Sequence, residues 1–392
     1  METLGVYIQV PFCESKCSFC NFSSRVAPST VFDGYTRALV REVQRLPDIY
    51  TAAGIDLRVM ALPVDTLYVG GGTPTVLGFE RLSEIIASVR VAFHVAAPNE
   101  FTLEVTPGSA DEGALRELRL LGVNRLSIGA QAFNDQELRS VGRLHTADDT
   151  KEMFAAARRA GFANISLDLI AGLPHQTYET WQATLETVAQ LRPEHVSLYI
   201  FEVDEKSRLG GEVIRHGTRF HAGAVPDEDF AAESYETGRA LLRGEGYRHY
   251  EISNFALPGF ESRHNRKYWR REPYIGLGAG AHSFDGVCRW SNEVSPANYQ
   301  ARLEAGESPV EQVSRLSPDE QLEEFFFLGL RQAEGIDLSL AERHWGIGPL
   351  ARWKRTIEDL TGRGWLENQA GNLRLTDPAY LISNEVFQEF LC

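Results

Sequence analysis

The sequence has no run of apolar residues close to the roughly 18 that a membrane-spanning helix requires, so we expect no segment to cross a membrane. Its first residues also lack the basic and hydrophobic stretches of a secretory signal. We therefore expect a cytoplasmic protein. This location is compatible with peripheral contact with a membrane.

Positive charge is also in short supply. The 392 residues include 39 Lys and Arg against 54 Asp and Glu, which gives a formal net charge of −15. Because nucleic-acid-binding proteins need basic surfaces, we expect no nucleic-acid partner. A hydrophobic content of 43% and a charged content of 24% are typical of a globular protein, and the length suits two domains or one α/β barrel with an appendage.

Cysteine is scarce and unevenly distributed. Three of the five cysteines, Cys13, Cys17 and Cys20, fall within eight positions, whereas Cys288 and Cys392 stand alone as plain thiols. This distribution does not resemble a disulfide framework and is typical of metal binding in a reducing compartment. Thiolates are soft ligands that suit zinc or an iron–sulfur cluster.

The cysteine group lacks a fourth member, and no histidine lies near it. A closed zinc site takes four protein ligands, and a four-iron cluster usually takes four cysteines. Two interpretations follow. Three thiolates hold an iron–sulfur cluster with one iron open to a small ligand, or a zinc site borrows a distant ligand.

Strand patterns alternate with helical patterns along the first 200 residues. Short apolar runs rich in β-branched residues predict strands at 6–10, 66–69, 101–105, 125–128, 165–170 and 195–200. A segment with helical periodicity follows each of them. Repeated strand–helix units predict a parallel sheet with helices outside it, and six units suit a partial (β/α)6 barrel within an α/β fold.

Polar and glycine residues stand where these strands end. Cys13, Gly71, Gly72, Thr73, Glu104, Gln131 and Asp168 all lie at or just beyond the last part of a predicted strand. In barrels that end forms the active-site face, so one cleft is expected to hold them. Taken singly, Glu104 and Asp168 have a plainer interpretation, as helix caps or as ion-pair partners of Arg125 or Arg143.

Four motifs in this order resemble a known family. Tyr7 opens Y-I-x-x-P-F-C-x3-C-x2-C, Tyr68 opens YVGGGTP, Leu126 opens LSIGAQAF and Asp168 opens DLIAGLP. Together they resemble the anaerobic coproporphyrinogen dehydrogenase family, a branch of the radical S-adenosylmethionine (radical SAM) enzymes. The resemblance runs from about residue 7 to residue 283.

The resemblance implies a site. Cys13, Cys17 and Cys20 would bind a 4Fe–4S cluster whose open iron binds SAM, and the reduced cluster would cleave SAM to a 5′-deoxyadenosyl radical. The remaining family positions that contact SAM correspond here to Tyr7, Phe19, Gly71, Gly72, Thr73, Glu104, Gln131, Arg143 and Asp168. Catalytic residues are not identified by the resemblance.

Two features separate the subfamilies. The dehydrogenase has a further cysteine two residues after the third and a long arm before the cluster, whereas this sequence has Phe22 at that position and twelve residues before Cys13. In both features the sequence resembles the haem chaperone subfamily instead. Residues 264–269 also resemble its H-N-x-x-Y-W motif, which implies haem contacts for His264, Tyr268 and Trp269. The alternative is that His264 shapes a loop while the aromatic pair packs in the core.

The last part of the chain changes pattern. Helices are expected at 322–330, 338–345 and 350–362, with a β-hairpin whose turn lies at 371–372, which together resemble a winged helix. We expect two domains, 1–300 and 315–392. From Arg315 to Cys392 there are eight Lys or Arg residues and thirteen Asp or Glu residues, so the second domain is expected to pack or to bind a partner protein rather than DNA.

The sequence thus favours a haem chaperone that carries a 4Fe–4S cluster and SAM and delivers haem to respiratory haem proteins. The alternatives are an oxygen-independent coproporphyrinogen III dehydrogenase, which decarboxylates two propionates, and a zinc-stabilised binding module. The expected partners are haem and a haem-accepting protein, with a homodimer also compatible with the subfamily. Whether the chain acts as an enzyme stays open at this point.

Overall fold

The computed structural model describes residues 2–391, so Met1 and the predicted plain thiol Cys392 lie outside the described residues. The strands in chain order are β1 Leu4–Val10, β2 Phe12–Cys13, β3 Arg25–Val26, β4 Val64–Gly71, β5 Val95–Val105, β6 Arg125–Gln131, β7 Ile165–Ala171, β8 His195–Ile200, β9 Arg248–Glu251, β10 Asn254–Ala256, β11 Tyr274–Leu277, β12 His282–Phe284, β13 Cys288–Asn292, β14 Val310–Arg315, β15 Ile336–Asp337, β16 Leu366–Gln369 and β17 Asn372–Leu375.

Helices occupy most of the intervals between these strands. The α-helices are α1 Phe32–Gln44, α2 Leu46–Ala53, α3 Gly78–Ala92, α4 Glu112–Leu120, α5 Asp135–Ser140, α6 Ala147–Arg159, α7 Tyr178–Leu191, α8 Arg208–Ile214, α9 Glu228–Gly244, α10 Arg263–Trp269, α11 Pro296–Glu304, α12 Pro318–Gly329, α13 Leu338–Trp345, α14 Ile347–Ala351, α15 Lys354–Gly362 and α16 Ser383–Gln388. Short 3-10 helices span Ser29–Val31, Leu57–Ala61, Pro74–Leu77, Arg219–Ala224 and Asp377–Ala379.

The main sheet has twelve strands in the order β14-β13-β12-β11-β1-β4-β5-β6-β7-β8-β10-β9. The run from β11 to β8 through β1 is parallel, and the strands outside it pair antiparallel. The first and last strands of this order, β14 and β9, do not pair with each other, so the sheet is open. The predicted partial (β/α)6 architecture is confirmed as an α/β fold without closure into a barrel.

Burial explains why the parallel strands form. β1 is buried at six of its seven positions, which is the pattern of a strand covered on both faces. The outer helices are amphipathic, and α1 turns Tyr35, Leu39 and Val43 toward the sheet while it packs against α3 and α11. The core therefore lies on both faces of the parallel run.

The structure extends and corrects the expected elements. All six predicted strands are present, with β5 beginning six residues earlier than expected. A seventh parallel strand, β11, pairs with the free side of β1 and was not predicted. The helix predicted at 350–362 is instead two helices, α14 and α15, separated at Arg352 and Trp353.

The last part of the chain has its own hydrophobic core, built from residues between Leu322 and Phe390. Helices α12 to α15 precede the β16–β17 hairpin, to which β15 adds a third strand. Glu324 of α12 bonds to Arg271 and Arg289 of the first part of the chain, at 3.0 and 2.6 Å. The domain limits 1–300 and 315–392 stay a prediction.

No helix among the described residues combines the length and the apolar character that crossing a bilayer demands.

Candidate functional site

A cavity of about 370 Å³ opens at the carboxyl ends of the parallel strands. Its wall takes polar residues from β4, β5, β6, β7 and β8, together with the loop that follows β2. Among the residues predicted for the site, the structure brings these to its wall: Cys13, Cys17, Phe19, Cys20, Gly71, Gly72, Thr73, Glu104, Gln131, Arg143 and Asp168. Their proximity follows from the parallel topology, because neighbouring parallel strands end at the same edge of the sheet.

The three cysteines lie on one short loop, and each is half-buried. Burial raises the pKa of the Cys13 thiol. Arg143 Nη1 lies 3.5 Å from Cys17 Sγ, so a positively charged group stands beside this thiol. Lys16 Nζ closes the loop by donating to the carbonyl of Ser24 at 2.9 Å.

No group of three His, Cys, Asp or Glu residues among residues 2–391 is arranged to hold a single metal ion. A four-iron cluster, however, spaces its thiolates on separate irons rather than around one ion. The donor set fits such a cluster, because three soft thiols face one cavity and a cation stands beside one of them.

The glycine segment after β4 brings two backbones together. Gly72 N donates to Val10 O at 2.8 Å, and Thr73 N donates to Phe12 O at 2.7 Å. A Cβ on Gly72 would overlap Phe12 O, so no larger residue fits there. Gly71 has φ +106°, a backbone conformation that favours glycine. This close approach fixes the start of the cysteine loop.

Two half-buried carboxyl groups, Glu104 and Asp168, face the cavity behind the glycine segment. Glu104 accepts from Tyr68 OH at 2.8 Å and from Gly71 N at 2.9 Å. Burial raises the pKa of Glu104 to about 7, and it raises the pKa of Asp168 as well. Asp168 accepts from Ser127 Oγ at 3.1 Å. A cationic ligand entering the cavity would meet two carboxyl groups able to ionise in response.

Arg125 was not predicted as a site residue, although it lines the cavity and is only 2% exposed. Its charge acts on both acids and lowers the pKa of each, against the larger effect of burial. Its Nε has no hydrogen-bond partner among the described residues. The alternation of side chains along a strand could have predicted Arg125 as a site residue, because Arg125, Ser127, Gly129 and Gln131 share one face of β6. The same alternation applies to Tyr68 and Tyr199, which line the cavity and were not predicted as site residues.

Gln131 and Arg143 are held in unusual positions. Gln131 ends β6 in the left-handed conformation, with φ +66°, which costs energy for a residue with a side chain. The Arg143 guanidinium bonds to Gly129 O, while its buried Nε has no partner among the described residues. Strained and unpaired polar groups of this kind are typical of ligand-binding walls.

Tyr7 does not line the cavity. Its hydroxyl donates to Gln9 Oε1 at 2.7 Å, and its ring stacks on Tyr68 with centroids 5.8 Å apart. Tyr7 therefore supports a residue of the wall.

His264 does not line the cavity: it is buried on α10 at 1% exposure, and its ring packs behind that of Tyr68 in the cavity wall, at a centroid distance of 5.2 Å. Its Nδ1 lies 2.9 Å from Thr66 Oγ1, and its Nε2 lies 2.8 Å from Tyr268 OH. Burial lowers the pKa of His264 to about 3, so the imidazole is neutral. Both ring nitrogens already have partners, and a haem iron reaches His264 only if one of these bonds opens.

The other two predicted haem contacts lie beside His264. Tyr268 holds the His264 ring edge-on, at a centroid distance of 5.2 Å. Trp269 stacks under Arg331, whose guanidinium carbon lies 4.4 Å from the ring centroid. The aromatic pair therefore packs within the protein in this conformation, and its haem contact stays a prediction.

Family comparisons agree with this geometry. The pattern of the Radical SAM superfamily matches residues 7–188, and that of the HemN C-terminal domain matches residues 316–382. The fold and the thiol-lined cavity thus define a radical SAM protein.

The chain belongs to the heme chaperone HemW family. It is 36% identical over 389 residues to Heme chaperone HemW of Bacillus subtilis, with 99% of each chain covered. It is also 34% identical over 355 residues to the mitochondrial Radical S-adenosyl methionine domain-containing protein 1 of Bos taurus, covering 88% of this chain and 76% of that one. The resemblance found in the motifs is confirmed.

The solved structure of coproporphyrinogen III oxidase (HemN) from Escherichia coli, a radical SAM enzyme, superposes with a TM-score of 0.85. It covers 99% of this chain and 90% of that one at 24% identity. This likeness shows the shared fold alone.

Gly72→Ala tests the contact between the glycine segment and the cysteine loop. We expect a loss of about 1–3 kcal/mol in the free energy of unfolding, because the new methyl group clashes with Phe12 O. We also expect less iron per chain after anaerobic reconstitution, because the start of the cysteine loop must move. Chemical denaturation and iron assay give the two readouts. Gly244→Ala is the control, since a Cβ there meets nothing within 4 Å; equal behaviour of the two variants would contradict the prediction.

The neutral state of His264 predicts a pH dependence of stability. Below about pH 6.5 this imidazole binds a proton in the unfolded chain, whereas in the folded chain it stays neutral down to about pH 3. The free energy of unfolding therefore falls as the pH falls through that window. His264→Gln should reduce the slope of the unfolding free energy between about pH 5.5 and 4 by about 1.4 kcal/mol per pH unit.

Denaturant unfolding at stepped pH values measures this slope. Thr66→Val removes one partner of His264 but keeps the imidazole, so its slope should remain that of the natural sequence. An unchanged slope in His264→Gln would show that His264 does not stay neutral in the folded protein.

Proposed function

We propose that the protein is a haem chaperone, which binds haem and delivers it to haem-requiring respiratory proteins, and which carries a 4Fe–4S cluster and SAM. Its 36% identity to a named haem chaperone over the full length of both chains carries this proposal. Phe22 adds to it, because the position of the dehydrogenase's further cysteine holds an exposed aromatic residue.

In this proposal Cys13, Cys17 and Cys20 hold the cluster, and the Arg143 guanidinium lies beside Cys17. When bound, the cluster supplies the electron for reductive cleavage of SAM. The carbonyls of the glycine segment and the carboxylate of Glu104 would accept from the amino group or the ribose of SAM. Asp168 and Gln131 would bind its polar groups, and Phe19 would cover its apolar parts. Cytoplasmic location stays a prediction.

Haem binding through His264 requires a local change. Freeing Nε2 means displacing the Tyr268 hydroxyl, whereas freeing Nδ1 means parting from Thr66 on β4. The first change is the smaller one, because Tyr268 lies one helical turn along α10 and needs only a side-chain rotation. The imidazole is already neutral, so its nitrogen lone pair needs no deprotonation.

Glu104→Gln tests the SAM site. Glu104, with a pKa of about 7, must lose its proton before it can attract the cationic ligand, so SAM affinity should rise about tenfold from pH 6 to pH 8 beyond any change seen in the variant. Calorimetric titration of the cluster-loaded protein at stepped pH gives this difference. The same pH profile in both proteins would remove Glu104 from the SAM site.

Haem titration followed by Soret absorbance tests the chaperone function. We expect stoichiometric uptake by the natural sequence, at least tenfold weaker uptake by His264→Ala, and uptake at least equal to the natural one by Tyr268→Phe, which keeps the imidazole but frees Nε2. Unchanged uptake and Soret spectrum in His264→Ala would exclude His264 as the ligand without excluding the chaperone.

The same preparation, given coproporphyrinogen III, SAM and an electron donor, tests the alternative enzyme. Formation of protoporphyrinogen without haem uptake would replace the chaperone proposal with the dehydrogenase. Iron and sulfide contents close to four each per chain would exclude a zinc-stabilised module.

A further inference from the structure

Two histidines meet at the surface, beyond the end of β7. Nε2 of His175 lies 3.0 Å from Nδ1 of His221, and the centroids of the two rings are 5.1 Å apart. Among the described residues this is the one contact between two imidazoles. His221 is exposed and His175 is half-buried, whereas His264 is buried. A ligand in solvent therefore reaches His221 without any movement of the fold.

The pair of histidines is held in place by the chain around it. His175 N donates to Ala224 O at 2.8 Å, which ties the loop after β7 to the turn that carries His221. Ala222 of that turn is buried in one apolar cluster with Leu173. Both histidines have a left-handed backbone, with φ +67° and +59°. Residues with side chains keep this conformation only where the surrounding structure holds them in it, which is common at ligand sites.

The hydrogen bond between the two rings decides which nitrogen can bind a metal. A neutral imidazole carries one proton, so one ring donates and the other accepts. When His221 donates through Nδ1, its Nε2 keeps a lone pair, and this nitrogen has no partner among the described residues. Histidines that bind metals usually donate their other ring N–H to an acceptor, which makes the binding nitrogen more basic. His175 is placed to be that acceptor.

The surroundings of the pair suit a planar, apolar anion. Residues 206–221 include four Lys or Arg and one acid, in a chain whose net charge is −15. The guanidinium carbons of Arg208 and Arg219 lie 5.2 and 5.3 Å from the ring centroid of Phe220, which directly precedes the exposed histidine. Arg208 also donates to Lys16 O. Neither arginine pairs with an acid in the part of the chain that the structure describes, so both charges are available to carboxylates.

We propose that Nε2 of His221 is an axial ligand of haem at the surface of the protein, that His175 positions this imidazole, and that Arg219 lies next to a propionate. Neutral imidazole is a common haem ligand, and Phe220 offers an aromatic face to the porphyrin.

This surface site is separate from His264, and it rests on the proposed chaperone function because it names a place where haem is received and released. A site that covers one face of the porphyrin buries less apolar area than an enclosed pocket, so it holds haem more weakly. Weak binding at an exposed position suits transfer to an acceptor protein, since affinity is set mainly by the rate of release.

Haem titration of the His264→Ala protein isolates the surface site. Difference spectra against the same preparation without haem should show residual uptake, with the Soret band of histidine-bound haem. Adding His221→Ala should weaken this uptake about tenfold or more, because the axial ligand is lost. Adding His216→Ala instead is the matched control. His216 is exposed, lies five residues away in the same segment and also has a left-handed backbone, with φ +52°, yet it contacts no other imidazole.

Two substitutions test the positioning role of His175. His175→Gln keeps an acceptor for Nδ1 of His221, so haem affinity should change by less than about twofold. His175→Leu removes the acceptor, and affinity should fall about tenfold while the Soret band keeps its position, because the ligand itself remains. Equal affinity in the two variants would remove His175 from this role.

The contact with the propionates has its own test. Arg219→Gln should weaken the uptake of haem but not that of haem dimethyl ester, which lacks free carboxylates. An equal effect on both compounds would place the propionates elsewhere.

Two outcomes would overturn the surface site: a His264→Ala protein that takes up no haem, or equal losses from His221→Ala and His216→Ala. Haem uptake by the natural sequence, unchanged by every substitution at positions 175 and 221, would refute the surface site and leave the chaperone function in place. Absence of haem uptake by the natural sequence would refute both.

Discussion

The site depends on one close contact between backbones. Where β1 and β4 end, Gly72 and Thr73 bond through their amide groups to the carbonyls of Val10 and Phe12. The cysteine loop begins at the next residue, so its first thiol is positioned by the sheet itself rather than by a flexible connection. A side chain at position 72 would separate the strand ends and release the loop. The fold can thus present three thiols to one cavity because a single position carries no Cβ.

Behind this contact two acids, Glu104 and Asp168, lie half-buried at the cavity wall. Glu104 and Asp168 are only partly exposed, and the loss of solvation outweighs their hydrogen bonds and the charge of Arg125, so the pKa of each carboxyl group is raised. Such groups lower the stability of the fold, and they occur at sites where a bound ligand stabilises their ionised form. A cationic cofactor is the kind of ligand that would do so. The same acids explain why a positively charged residue, Arg125, is tolerated at 2% exposure.

Much of this architecture could be predicted because it repeats. Six apolar runs followed by helical segments imply a parallel sheet, and parallel strands must end at one edge, so residues such as Glu104 and Asp168 could be grouped from the amino-acid sequence alone. β11 escaped prediction because it is four residues long and glycine-containing, and only β1 supplies its parallel pairing. The partners of His264 escaped for another reason. Thr66 lies 198 residues away along the chain, and no local pattern connects them.

His264 joins the site to the C-terminal part of the chain. Helix α10 is tied to the sheet by His264 through Thr66, and the amide of His264 also donates to Glu100 of β5 at 3.0 Å. On its outer side Arg266 and Arg270 both pair with Glu334. A ligand that draws His264 out of its pocket must therefore loosen α10 from the sheet or carry Glu334 with it. Haem uptake that displaces His264 in this way would be coupled to the position of the acidic C-terminal part, whereas rotation of the Tyr268 side chain alone would leave that part in place.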